Sequence, residues 1–301
     1  MTGFARTVLG DVEADRLGIV LAHEHLIIDS PIVAESMPHI HLPSVDEAVT
    51  ESRVIGEAGV ATVVDAMPAG SGGHIDRLAE VSRKSGLNII ATTGMHTARY
   101  YPPGDPHLIE PAESLARVFI RAITGASPRA GVIKVATMGL DPTDQERRLF
   151  EAAAITVAAT GAPVLTHCEG GVGGMAQMEM MSRLGIPLSR VCLSHTDKVA
   201  DRGYHRGLLE TGVLLCLDQG LRDSEWTAAL VADLVGDGFG RQLLIGTDAA
   251  RRTLWSSLGG PRGPGWMNGG FRALLADRGL VDAQVDRLFS DNPARWLVVS
   301  G

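Results

Sequence analysis

Eight short apolar runs recur along the whole 301-residue chain, at 18–23, 60–65, 88–94, 131–136, 163–167, 190–195, 212–217 and 243–248. Each is rich in Val, Ile and Leu and too continuous for a half-exposed strand, because strands buried on both faces read as unbroken apolar segments. Helical patterns separate them. Ser44 with Glu47 has capping-box spacing before 48–58. Pro111 opens a second helix with Leu115, Val118, Phe119, Ala122 and Ile123 on one face, and a third, 144–160, stops at Gly161. Strands alternating with helices imply parallel neighbours joined by right-handed crossovers. Eight such units predict a single-domain (β/α)8 TIM barrel over residues 1–301. A doubly wound open sheet is the competing arrangement, which periodicity alone does not exclude.

Charge narrows the range of partners. A formal net charge of −8, with no basic run, argues against nucleic acid and anionic membrane surfaces. No segment reaches the roughly 18 to 20 apolar residues of a membrane span, and the first 18 residues lack the apolar core of a secretion signal. Cys168, Cys192 and Cys216 form no CxxC pair, which suits a reducing compartment. A cytoplasmic protein is expected.

Several runs end on a metal-competent residue, and in a barrel those C-terminal ends meet on the rim where active sites are built. The first gives His23 and His25, two apart and so on one face of an extended chain, about 6 to 7 Å from each other. The fifth gives His167, the sixth His195 and the eighth Asp248. Lys134 sits inside the fourth run, where an unpaired charge would cost several kcal/mol (about 1–3 or more). Strand parity sets Cys168 and Cys192 opposite to their neighbouring histidines, hence against helices. Asp248 alone could cap a helix, and any single histidine could be structural. His39 and His41 repeat the HxH spacing between prolines with no strand leading in, and are set aside. His96 follows the third run and is a pocket candidate; His74, His107 and His205 carry no signal. Met175, Met178, Met181 and Leu184 have the spacing of a packing stripe, and the glycine-rich 259–270 suits either a lid or a permissive connection.

In order and spacing, "LAHEH", "GVIKVAT", "THCEGG", "LSHTD" and "IGTDAARR" resemble the phosphotriesterase family of the amidohydrolase superfamily, which includes phosphotriesterase-like lactonases. The resemblance implies a barrel with two divalent metals, commonly Zn2+, with Co2+, Mn2+ or Fe2+ as alternatives. His23, His25 and Asp248 would hold one and His167 and His195 the other, bridged by carbamylated Lys134. Asp248 would also be the catalytic proton acceptor, Asp197 would orient a ligand from behind, and His96, Tyr100 and Arg251 would meet the substrate. Gln219 and the later Arg222 stand where family lactonases often carry an arginine. "DAARR" resembles a branch acting on phosphorylated sugar lactones, although Leu254 replaces that branch's tyrosine. The expectation is a metal-dependent lactonase or carboxylic ester hydrolase acting on a small polar molecule, as a homodimer. Phosphotriester or amide and carbamate hydrolysis is the alternative, followed by a non-catalytic metal-binding barrel.

Overall fold

A computed structural model describes residues 3–125 and 127–299. An N-terminal hairpin, β1 (Phe4–Thr7) and β2 (Gly10–Glu13), precedes eight parallel strands: β3 (Val20–Glu24), β4 (Thr62–Asp65), β5 (Asn88–Gly94), β6 (Ala130–Thr137), β7 (Val164–Cys168), β8 (Val191–Ser194), β9 (Leu214–Leu217) and β10 (Leu243–Ile245). Their spatial order follows the chain. The sheet closes because Thr247 and Asp248 donate backbone N–H groups to the His23 carbonyl at 3.1 and 3.0 Å, which excludes the open sheet. Closure needs Gly246, where a Cβ would lie 2.9 Å from the His23 backbone nitrogen.

The helices α1 (Pro31–Ser36), α2 (Val45–Glu57), α3 (Ile75–Ser85), α4 (Ala112–Thr124), α5 (Asp144–Thr160), α6 (Gly174–Arg183), α7 (Arg202–Glu210) and α8 (Ser224–Gly236) occupy the crossovers, and α9 (Gly270–Asp277), α10 (Asp282–Asp286) and α11 (Asn292–Leu297) complete the chain. Capping decides the bounds of α5: Thr143 and Glu146 form a reciprocal box, and Gly161 ends it in the left-handed conformation. The box expected at α2 is half made. Ser44 accepts from the Glu47 N–H at 3.2 Å, but the Glu47 carboxylate pairs with Arg252 instead. Val118 on α4 is half exposed, so the apolar face there is Ala112, Leu115, Phe119 and Ile123. Of the methionine stripe, Met178 and Met181 are buried and Met175 is not.

Two concentric cores follow from strand alternation. Val20, Val64, Ile90, Val132, Leu165 and Leu244 fill the barrel, together with Ala5 of the hairpin and Trp296 of α11, which close its N-terminal end. The larger outer core lies between sheet and helices. Residues 259–270 are packed rather than lid-like. They contain a short 3-10 helix, Pro264–Asn268, and Asn268 donates to the Ala58 carbonyl at the end of α2 at 2.8 Å.

Candidate metal centre

Local backbone irregularities aim the polar residues inward. Val20 and Ala22 face the barrel interior and Leu21 the helices, so strict alternation would turn His23 outward. A register shift between Leu21 and Glu24 resets the pattern, and the His23 ring lies 5.4 Å from that of His25 and 4.8 Å from that of His195. At β8 the same problem is solved differently. Cys192 faces the interior, against the parity expectation, as does Cys216; of the three cysteines Cys168 belongs to the helix side. Ser194 also faces in, reaching the His23 Nδ1 at 2.8 Å. His195 points inward as well because its φ is 66°, which breaks the alternation.

The candidate ligands meet as two groups. Ligand atoms of His23, His25 and Asp248 lie within 4.8 Å of one another, with His25 Nε2 3.3 Å from Asp248 Oδ1. His167 Nδ1 and His195 Nε2 face each other at 2.9 Å. Their outer nitrogens rest on carboxylates: His167 Nε2 on Glu169 at 2.8 Å and His195 Nδ1 on Asp218 at 2.9 Å. That backing fixes ring orientation and raises ligand basicity in metal sites. Arg99 in turn pairs with Glu169 at 2.9 Å.

Electrostatics favour cations. Burial, together with Lys134 and His195, holds His23 well below the ordinary imidazole range, and burial with His195 does the same for His167. Both are therefore neutral donors. Burial would raise Asp248, but His195, His25 and Arg222 hold it well below the usual carboxylate range. Lys134 is 1% exposed and its Nζ has no hydrogen-bond partner among the described residues. Burial lowers it to about 8 despite Asp248 and Asp218 nearby. Neutral imidazoles, an anionic carboxylate and an orphaned amine close enough to act electrostatically on them fit a group that the protein atoms alone do not supply. A second possible donor group, His23, Cys216 and Asp218, lies buried in the same region.

A cavity of about 510 Å³ opens over these groups, and His96, Tyr100 and Arg251 line it. His96 is buried, with its ring 4.1 Å from that of Tyr100 and 4.6 Å from that of His167. Among the described residues Asp197 makes no hydrogen bond to a candidate ligand. Its Oδ2 accepts from the Gln219 N–H at 2.8 Å, and the carboxylate behind His195 is Asp218, which ends β9 as the histidines end their strands. Glu169 and Ser194 stand inside the quoted motifs without being assigned a part there, and Asp218 lies in none of them. Arg222 turns back onto the eighth strand, donating to the carbonyls of Thr247 and Asp248 at 2.8 and 2.6 Å. His39, set aside from sequence, reaches the cavity wall with Met37 and Ile40, because Asp29 ties its loop down through His41 and Arg77 at 2.8 and 2.7 Å. His74 and His205 bond backbone carbonyls and His107 bonds Asp105.

The model of the phosphotriesterase family matches residues 4–297. A phospho-furanose lactonase from Mycoplasmopsis synoviae is 28% identical, over 98% of this chain and 91% of its own. An aryldialkylphosphatase from Saccharolobus solfataricus is also 28% identical, over 82% of this chain and 81% of its own. Among solved structures, an amidohydrolase from Mycoplasma synoviae superposes with a TM-score of 0.94 at 25% identity, covering 99% of this chain and 93% of that one.

Proposed function

The chain belongs to the phosphotriesterase family, and from that premise we propose that this metal-dependent hydrolase opens a small, polar, sugar-derived lactone. His23, His25 and Asp248 would hold one divalent cation and His167 and His195 the other, with Lys134, as a carbamate, supplying a further anionic oxygen donor; zinc is the ion proposed. The observation that carries this reading is the buried, partnerless Lys134 amine among five ligand side chains. With its pKa at about 8, roughly a tenth of Lys134 is free base at pH 7 and can attack carbon dioxide. The new N–C bond forms with loss of a proton, and a cation becomes an anionic oxygen donor.

Bound there, the cations supply Lewis acidity toward a carbonyl oxygen and lower the pKa of water toward neutrality. Asp248 takes the proton of the attacking water on Oδ2, the oxygen turned from His25, and returns it to the leaving alkoxide. Glu169 and Asp218 keep the two facing imidazoles in the tautomer that presents a lone pair inward. His96 and Tyr100 form one wall of the cavity, and Lys198 and Arg251 add positive charge to its lining beside the Arg99–Glu169 pair, which suits a polar substrate. The lactonase name of the Mycoplasmopsis relative supports the reaction class. The three buried free cysteines support a cytoplasmic setting, and a homodimer follows from the family resemblance.

A panel of sugar lactones, acyl lactones and organophosphates, assayed on metal-loaded protein and on Asp248→Asn, tests the proposal. Sugar lactones should turn over fastest, and the substitution should cost about 10²- to 10⁴-fold in kcat. Turnover of organophosphates alone, with both metals bound, would replace it with phosphotriester hydrolysis.

A further inference from the structure

The segment after β10 supplies Ala250 and Arg251 to the cavity wall; its 3-10 turns close on local bonds such as Leu254 N–H to the Arg251 carbonyl at 2.9 Å and Leu258 N–H to the Trp255 carbonyl at 3.1 Å. What fixes those turns against the barrel comes from α2. Glu51, in the middle of α2, is 0% exposed, and its partners are backbone and hydroxyl donors rather than a cation. Oε2 accepts from the Ser257 N–H at 2.8 Å, and Oε1 from the Ser256 N–H at 3.2 Å and the Ser256 hydroxyl at 3.3 Å. The following chain is shaped to admit this carboxylate: a Cβ on Gly263 would come 2.6 Å from Glu51 Oε1. One residue before the anchored pair, the fully buried Trp255 donates its indole N–H to the Ala249 carbonyl at 3.0 Å. Ala249 adjoins Asp248. One turn before Glu51 on the same helix, Glu47 grips Arg252 with both oxygens.

We infer that Glu51 is a positioning residue for substrate recognition. Its carboxylate is the template on which residues 250–258 fold, and Trp255 transmits that anchor through the Ala249 carbonyl to Ala250 and Arg251 on the cavity wall. A buried carboxylate can be stabilised by two or three N–H and O–H donors, and removing it leaves those donors unsatisfied in a packed setting. The loop then loses its fixed path while the metal ligands keep theirs, the histidines through β3, β7 and β8 and Asp248 through its N–H to the His23 carbonyl at 3.0 Å and the Arg222 bond to its own carbonyl at 2.6 Å. The consequence for substrate rests on the lactonase reading above; the anchor itself does not.

The experiment combines backbone amide hydrogen exchange, metal analysis and steady-state kinetics on full-length, metal-loaded protein. Its variants are Glu51→Leu, the conservative Glu51→Gln, and Trp255→Phe, which removes the indole donor and keeps an aromatic ring in a smaller volume. In Glu51→Leu, exchange across 250–258 should accelerate by at least about tenfold, as loss of a hydrogen bond to a charged group implies. KM for the best lactone should rise by a similar factor, with kcat within about threefold and metal content unchanged. Glu51→Gln should recover part of both effects, and Trp255→Phe should raise KM in the same direction. Unchanged exchange over 250–258 in both Glu51 variants overturns the anchor. A fall in kcat and bound metal at constant KM overturns the recognition role. If the parent turns over no lactone, the lactonase reading fails, while the exchange arm still decides the anchor. If Glu51→Leu does not fold, Glu51→Gln and Trp255→Phe carry the test.

Discussion

At His195 and Asp248 the backbone sits at φ of 66° and 48°, the positive-φ positions outside glycine among the described residues. A non-glycine residue held there costs about 1 to 3 kcal/mol and persists where the surroundings over-determine it. Here the surroundings are Asp218, bonding both the His195 N–H and its ring, and Arg222, holding the Asp248 carbonyl. Asp218→Asn should therefore weaken the second cation's binding about ten- to a hundredfold, which titration calorimetry on chelated protein measures; unaltered affinity would show that the carboxylate does not orient His195. Lys134 makes the opposite trade. Replacing its partnerless amine with the similarly shaped methionine should stabilise chelated protein by about 1 to 3 kcal/mol while abolishing two-metal loading. A destabilised Lys134→Met protein under chelator would mean the amine has a partner. The histidine and aspartate ligands were legible because they stand at or just beyond the end of an apolar run, and Lys134 because a lysine interrupts one. Asp218 stands just beyond a run too, but one aspartate in "LCLDQG" has no spacing partner to mark it, and the inward turn of His195 depends on a dihedral that strand parity cannot express.

Barrel elements were legible where periodicity and punctuation agree. Each of the eight strands coincides with one apolar run, β3 and β7 overrunning theirs by one residue at one end and β6 by one at both, and α5 spans 144–160 and stops at Gly161 as its sequence predicts. The hairpin β1–β2 was not legible, because its burial alternates over four residues per strand and its role is to plug the barrel from below. Nor was the path of 26–42, which brings His39 to the cavity through Asp29, His41 and Arg77, contacts between residues up to 48 positions apart. The seam between β10 and β3 is where one atom decides an element's fate. Gly246→Ala would press a methyl against the His23 backbone. It should cost about 1 to 3 kcal/mol, the range for overpacking, and should lower affinity for the cation that His23 holds. A wild-type denaturation midpoint with full metal content would show that the seam can widen without harm.

For the whole molecule, the centre couples metal, protons and stability. Cations that bind the folded chain alone add about 2.7 kcal/mol at a hundred times their dissociation constant. Chelation should therefore lower the thermal midpoint, and zinc with bicarbonate should restore it better than zinc in carbon-dioxide-free buffer. The chelated protein exposes the proton linkage. His23, His96 and His167 are held well below the ordinary imidazole value, chiefly by burial, whereas in the unfolded chain they take up protons near pH 6.5. Below that pH the unfolded state binds more protons than the folded one, so stability must fall as pH drops and be fully present above about 6.5. Three such groups give a slope of up to about 4 kcal/mol per pH unit. Urea midpoints of chelated protein at pH 7.5, 6.5 and 5.5 should thus be nearly level over the first interval and fall steeply over the second. Glu24 and Asp197, whose carboxyls burial holds well above the usual range, act in the opposite sense, so the same titration on Glu24→Gln leaves the imidazoles dominant; a midpoint level across both intervals in that variant would mean that they are protonated inside the folded barrel.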